Sequence, residues 1–196
     1  MFPAPLSFDN TARRCYYFEV SYPRGKDKIG GAMDIEYRHF DNKPDLYDYI
    51  CEQLERICGE TDDVTAVLAN TSALLMLQMS DLNWAGFYRM KNEGLVLGPF
   101  QGKPAVAHIA VGAGVCGTAV SEEKSQLVED VHTCCNHISC DFATNSELVV
   151  PIFVKSGIFG VIDLDSPVPV RFDEVDRSGV ERASEIIGRF VERHVT

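Results

Sequence analysis

No run of apolar residues in this chain approaches the ~18 that a membrane span needs, and the best, Ala73–Met79, is interrupted by Gln78. A charged segment followed by an apolar stretch is missing from the first fifteen residues, so no secretory signal is expected. Arg13 and Arg14 stand isolated behind Asp9, which is not the composition of a mitochondrial presequence. The default compartment is therefore the cytoplasm. Basic charge is also short: 18 Lys and Arg against 29 Asp and Glu leave a formal net charge of −11, which disfavours nucleic acid and anionic membrane as partners. There is no Cys-x2-Cys pair, no internal repeat and no low-complexity tract. The 7 cysteines are an odd number in a chain without an export signal, which argues against a static disulfide framework. Cysteine here means packing, metal or catalysis.

What is present falls into two parts. Residues 1–45 carry seven acids and seven bases and are rich in Pro, Gly and Asn, with one β-prone run at Cys15–Val20. They read as an N-terminal extension, either an arm or a hairpin on the main body. Residues 46–196 hold the whole acidic excess and 45% hydrophobic composition for the chain leaves enough for a real core. Leu46, Ile50, Leu54 and Ile57 recur at helical spacing with Gly59 as the expected stop, and a second helix is predicted from Asp63 to Met79. The period then changes. Leu82–Met90 and Leu95–Phe100 predict a hairpin around Asn92-Glu93-Gly94, and Ala105–Val111 a third strand. A short helix near Cys116–Glu122, a strand at Gln126–Val128, an irregular loop over Glu129–Asn145, a hairpin of Glu147–Val154 with Ile158–Asp165, and a closing helix over Asp173–Val195 complete the order. That order is α+β, an antiparallel sheet covered by helices.

Three cysteines and two histidines crowd the loop His132-Thr133-Cys134-Cys135-Asn136-His137-Ile138-Ser139-Cys140. Thiolate and imidazole are zinc's usual ligands, but vicinal Cys134 and Cys135 do not both point readily at one ion and no second ligand pair follows, so a redox thiol is the favoured reading. Asp163 and Asp165 share one strand face, and Glu147 sits on the partner strand of the same hairpin. Close carboxylates repel, and such a cluster raises at least one pKa so that one acid keeps its proton near neutrality. That arrangement suits a proton donor; its plainer reading is an exposed acidic strand. Trp84 and Tyr88 also share a strand face, with Gly86 between them, and read either as core or as an aromatic cage with room for a small ligand. Cys116 enters a helix from the glycine-rich turn Gly112-Ala113-Gly114, where it is either a packed structural cysteine or a thiolate favoured by the helix N-terminus.

Taken in order, the segments LNWAGFY, LVLGPFQGKPA, GVCGTAV, EDVH, HISCDFATNSELVVPI, GVIDLDSP and RFDEVD resemble the free methionine-(R)-sulfoxide reductases, a family built on a single GAF domain. The resemblance covers about residues 46–192. It implies a homodimer with a six-stranded antiparallel sheet and a small enclosed pocket, acting on the R epimer of free L-methionine sulfoxide and re-reduced by thioredoxin or a related dithiol protein. By motif it places Cys140 as nucleophile and Cys116 as resolving cysteine, joined as a disulfide during turnover. It matches Trp84 and Tyr88 to the residues around the substrate's methylthio end, and Glu147, Asp163 and Asp165 to the pocket carboxylates. No bound metal or organic cofactor is implied. The sequence departs from many members in carrying Val106 where they have a further cysteine, so Cys116 resolves alone or with Cys134 or Cys135.

Chemically, a thiolate attacks the sulfoxide sulfur while its oxygen is protonated and lost as water, which needs a general acid. Asp165 or Glu147 suits that role and Asp163 suits the substrate's ammonium. The rival class is a GAF module that binds a nucleotide or another small molecule without catalysis, since fold does not fix function. The Cys140 and carboxylate set is what such a sensor has no reason to carry.

Overall fold

The computed structural model describes residues 34–133 and 143–195. The N-terminal run that contains Cys15, and the run that contains Cys134, Cys135, His137 and Cys140, lie outside the described residues. Among those described, no helix is long and apolar enough to cross a membrane.

Asn42 caps the first helix, α1 (Lys43–Glu60), accepting from the Asp45 amide at 2.9 Å, with Pro44 in the first turn where a missing N–H costs nothing. The helix thus begins just ahead of Asp45 and runs through Gly59, which sits in its last turn rather than ending it. Thr61, in extended conformation, is the stop. Asp63 caps α2 (Val64–Gln78) by accepting from Ala66 N. The sheet then begins with β1 (Trp84–Lys91) and β2 (Gly94–Gly102), turned at Asn92, whose φ is 57°. A short β3 (His108–Ala110) leads to α3 (Gly114–Ser121) and β4 (Gln126–Val128). The chain continues through β5 (Ser146–Val154), β6 (Gly157–Ser166) and α4 (Glu174–His194).

The six strands form one sheet in the order β3-β2-β1-β6-β5-β4, every neighbour antiparallel. The α+β architecture and the six-stranded sheet are as expected. The third strand is shorter than its sequence suggests, for a reason in its neighbour. The β1–β2 register shifts between Gly86 and Tyr88, and β2 spends the extra residue around Gly98-Pro99, so its ladder with β3 ends at Val96↔His108 with one further bond, from Leu97 N to the Ala107 carbonyl at 3.0 Å.

Side-chain alternation divides the sheet into two faces. On one, Ala85, Phe87, Leu148, Val150, Ile152, Ile162 and Leu164 pack with the apolar sides of α1, α2 and α4 in the main core. On the other, Trp84, Tyr88, Val149 and Val161 pack with Cys116, Ala119 and Val120 of α3. The motif RFDEVD serves the first face. Asp173 caps α4 by accepting from Val175 N and Asp176 N, while Asp176 accepts back from Asp173 N. Asp176 is fully buried and also accepts from Tyr47 Oη at 2.9 Å, Lys43 Nζ at 2.5 Å and Arg171 Nη1 at 3.3 Å. This single carboxylate ties α1 to α4.

Candidate active site

The second sheet face collects the residues singled out above. In the β5–β6 pairing Glu147 stands opposite Asp165 and Val149 opposite Asp163; in the β1–β6 pairing Trp84 stands opposite Asp165, Gly86 opposite Asp163 and Tyr88 opposite Val161. Directly paired residues share a face, so all three acids and both aromatics point the same way. They are not the exposed acidic strand of the plainer reading. Glu147, Asp163 and Asp165 are 5%, 4% and 5% exposed, on the adjacent interior strands β5 and β6.

Burial acts strongly on these acids. Desolvation, and then the charge of Asp165, pushes the Glu147 carboxyl well above its ordinary range. Desolvation, and then Glu147, does the same to Asp163. Both therefore favour the neutral, proton-bearing form.

Cys116 closes the group from above. It lies in the first turn of α3, is 3% exposed, and hydrogen-bonds with Asp163. The glycines around it have specific work: Gly112 and Gly114 take φ of 83° and 62°, and a side chain at Gly117 would run into the Ala110 carbonyl. Of the two readings of Cys116, the thiolate at a helix end does not fit. Burial, Asp163 and Glu147 all raise its pKa, and together they outweigh a helix of two turns. Cys51 and Cys58 are also buried thiols with raised pKa, Cys58 to about 11, through desolvation on α1 away from this face.

The aromatic pair is present, but not with the gap predicted at Gly86. A Cβ there would lie 2.7 Å from Trp84 Cη2 and 2.8 Å from the Phe100 Cα, so the glycine leaves room for protein rings. Trp84 stacks on Phe100 with centroids 5.3 Å apart and planes 11° from parallel, and lies 6.0 Å from the Tyr88 ring. Phe100 is the member of this set that sequence reading missed. Its signal was its position opposite Gly86, which the shift at Gly98-Pro99 obscures. The polar tips of the pair are both tied down. Trp84 Nε1 donates to the Lys103 carbonyl at 3.1 Å, and Tyr88 Oη to the Val106 carbonyl at 3.0 Å. The segment that lacks the further cysteine thus anchors the aromatic wall.

The chain that leads into and out of the loop of Cys140 is fixed at the same end of the sheet. Val131 N donates to Asn145 O at 2.9 Å, Asn145 N to Ser166 O at 2.8 Å, and Asn83 Nδ2 to Thr144 Oγ1 at 3.0 Å. Cys140 itself lies outside the described residues. A separate cleft of about 490 Å³, bordered by Arg38, Lys43, Ser80 and Arg171, holds none of the predicted site residues.

The GAF-domain family matches residues 42–192. The free methionine-R-sulfoxide reductase of Escherichia coli K12 is 48% identical over 141 residues, 72% of this chain and 86% of the relative. The enzyme of the same name from Saccharomyces cerevisiae is 37% identical over 166 residues, 81% of this chain and 92% of the relative. Among solved structures, the free methionine-R-sulfoxide reductase of Neisseria meningitidis in complex with its substrate superposes with a TM-score of 0.79. That protein is 33% identical, and the match covers 84% of this chain and 100% of its own.

Proposed function

The chain belongs to the GAF-domain family of free methionine-R-sulfoxide reductases, and from that membership we propose that it reduces free L-methionine (R)-S-oxide to L-methionine by thiol chemistry. The observation that carries the residue assignments is the buried face on which Glu147, Asp163, Asp165 and Cys116 meet beside Trp84 and Tyr88.

In this scheme the Cys140 sulfur attacks the sulfoxide sulfur. Glu147 or Asp165 supplies the proton that the departing oxygen needs, which two facing buried carboxyls can do because they do not readily both ionise. The oxygen passes in net to Cys140 as a sulfenic acid, and methionine leaves. The Cys116 thiol then condenses with that sulfenic acid, forming the Cys116–Cys140 disulfide and releasing water. An external dithiol of the thioredoxin type exchanges with the disulfide, becoming oxidised as both cysteines regain their protons. Trp84 and Tyr88 pack the methylthio end, and Asp163 ionises to hold the α-ammonium. A cytoplasmic homodimer of this domain, with the N-terminal residues ahead of α1 as an extension, is the proposed assembly.

The test is a side-by-side assay of free and N-acetyl methionine R-sulfoxide at equal concentration. Acetylation removes the ammonium and leaves a buried carboxylate without its partner, which costs about 3–5 kcal/mol, or roughly 100- to 5,000-fold in binding. The free R-sulfoxide is expected to react efficiently, with little activity on the S epimer, whose oxygen and methyl positions are exchanged. Comparable rates on the free and acetylated compounds would remove the free amino acid as substrate.

A further inference from the structure

One sulfur and two carboxylates on this face are close enough to share an ion. Cys116 Sγ and an oxygen each of Glu147 and Asp163 lie within 4.8 Å of one another, all three residues buried. Tetrahedral zinc, with Zn–S near 2.3 Å and Zn–O near 2.0 Å, sets such donors about 3.3–3.5 Å apart. The backbones behind them are fixed: Glu147 and Asp163 project from adjacent strands, and Cys116 from the first turn of α3 against the same strands. A second observation points to a cation. Asp163 is 4% exposed and its carboxyl faces Cys116 and Glu147, yet its Oδ1 finds no hydrogen-bond partner among the described residues. Buried polar atoms are nearly always partnered, so an orphaned acceptor beside two further groups that become ligands on losing a proton is an open place for a cation.

We propose that the reduced protein binds a zinc-class divalent cation through Cys116, Glu147 and Asp163, and that this ion excludes the substrate. One thiolate with two carboxylates selects zinc, cadmium or cobalt over magnesium or calcium, which take oxygen alone. Three protein ligands leave a fourth position for water. The ion displaces the protons of the three groups and takes the place of the substrate's ammonium at Asp163. Occupancy of the site does not depend on the catalytic reading; its inhibitory consequence rests on that reading.

The experiment adds cobalt(II) to the reduced, metal-free full chain under anaerobic conditions. The expected result is a thiolate-to-cobalt charge-transfer band in the near ultraviolet with the visible bands of a tetrahedral ion, bleached by an equivalent of zinc. Cys116→Ser should lose the charge-transfer band. Asp163→Asn and Glu147→Gln, which keep shape, should weaken cobalt binding by at least the roughly 10- to 100-fold that losing even an outer-shell partner costs. A triple variant, Cys134→Ser with Cys135→Ser and Cys140→Ser, should keep the band, because it retains all three ligands. The proposal is overturned if no band forms, if the band survives Cys116→Ser, or if the triple variant loses it. Methionine release is measured separately in chelator-treated protein. A cobalt band in a chain that never releases methionine would uphold the metal site and sink the reductase reading. Release without a band would do the reverse.

Discussion

Glu147 and Asp165 stand directly opposite one another on β5 and β6, each 5% exposed, so two carboxyls share one dry stretch of sheet. Their arrangement has a cost in stability that a purely structural sheet would not carry, and its removal separates function from folding.

Glu147→Gln and Asp165→Asn keep shape but cannot donate a carboxylic proton. Each is expected to slow methionine formation in a single turnover by roughly 100-fold or more. Stability should move the other way for Glu147→Gln and for Asp163→Asn. Burial raises both carboxyls above their ordinary values of 4.5 and 3.8, so the folded state holds protons that the unfolded state releases. The parent protein therefore loses stability as pH rises from about 4 through the folded-state values. The variants are spared that loss. They should melt higher than the parent at neutral pH, by on the order of 2–4 °C per kcal/mol relieved, with the gap closing toward pH 4. Thermal melts across pH in metal-free buffer check this; lower melting of both variants at neutral pH would show that the acids are stabilising partners.

Cys140 and Cys116 should fail at different steps. With its thiol pushed up by burial and by Asp163 and Glu147, Cys116 is a poor first nucleophile. Cys140→Ser is expected to abolish methionine release even in one turnover. Cys116→Ser is expected to release about one methionine per chain and then stall with a thioredoxin-type reductant. Quenched single- and multiple-turnover assays distinguish the two, and full thioredoxin-linked turnover by Cys116→Ser would pass the resolving role to Cys134 or Cys135.

Gly86→Ala probes the aromatic wall. A methyl group there meets Trp84 and Phe100 in a packed stack, and overpacking of this kind costs typically about 1–3 kcal/mol. Because Trp84 is also held by Lys103 and Tyr88 by Val106, the rings have little freedom to yield. The variant should melt lower and show a raised KM for free methionine R-sulfoxide. An unchanged KM beside a lowered melting temperature would mean that the stack is core and does not touch the substrate.

Much of this molecule is written locally. Helical spacing in Leu46, Ile50, Leu54 and Ile57, capping by Asp63 and Asp173, and the alternation of Val161-Ile162-Asp163-Leu164-Asp165 each depend on neighbours a few residues away, and α1, α2, α4 and β6 follow from them. The same alternation put Asp163, Asp165, Trp84 and Tyr88 on definite faces before any pairing was known. What the tertiary structure alone decided was which of those faces is dry. Burial of Glu147 and Asp163, and with it their proton-holding character, comes from α3 packing over the face of β1, β6 and β5 that carries them. The fate of Gly86 was settled by a register shift at Gly98-Pro99 in the neighbouring strand, which brings Phe100 into the space that the glycine opens. Asp176 closes a capping box with Asp173, three residues away, yet its burial among Tyr47, Lys43 and Arg171 needs a contact between the first and last helices. Desolvation and strand register are sums over distant parts of the chain, and no local pattern carries them.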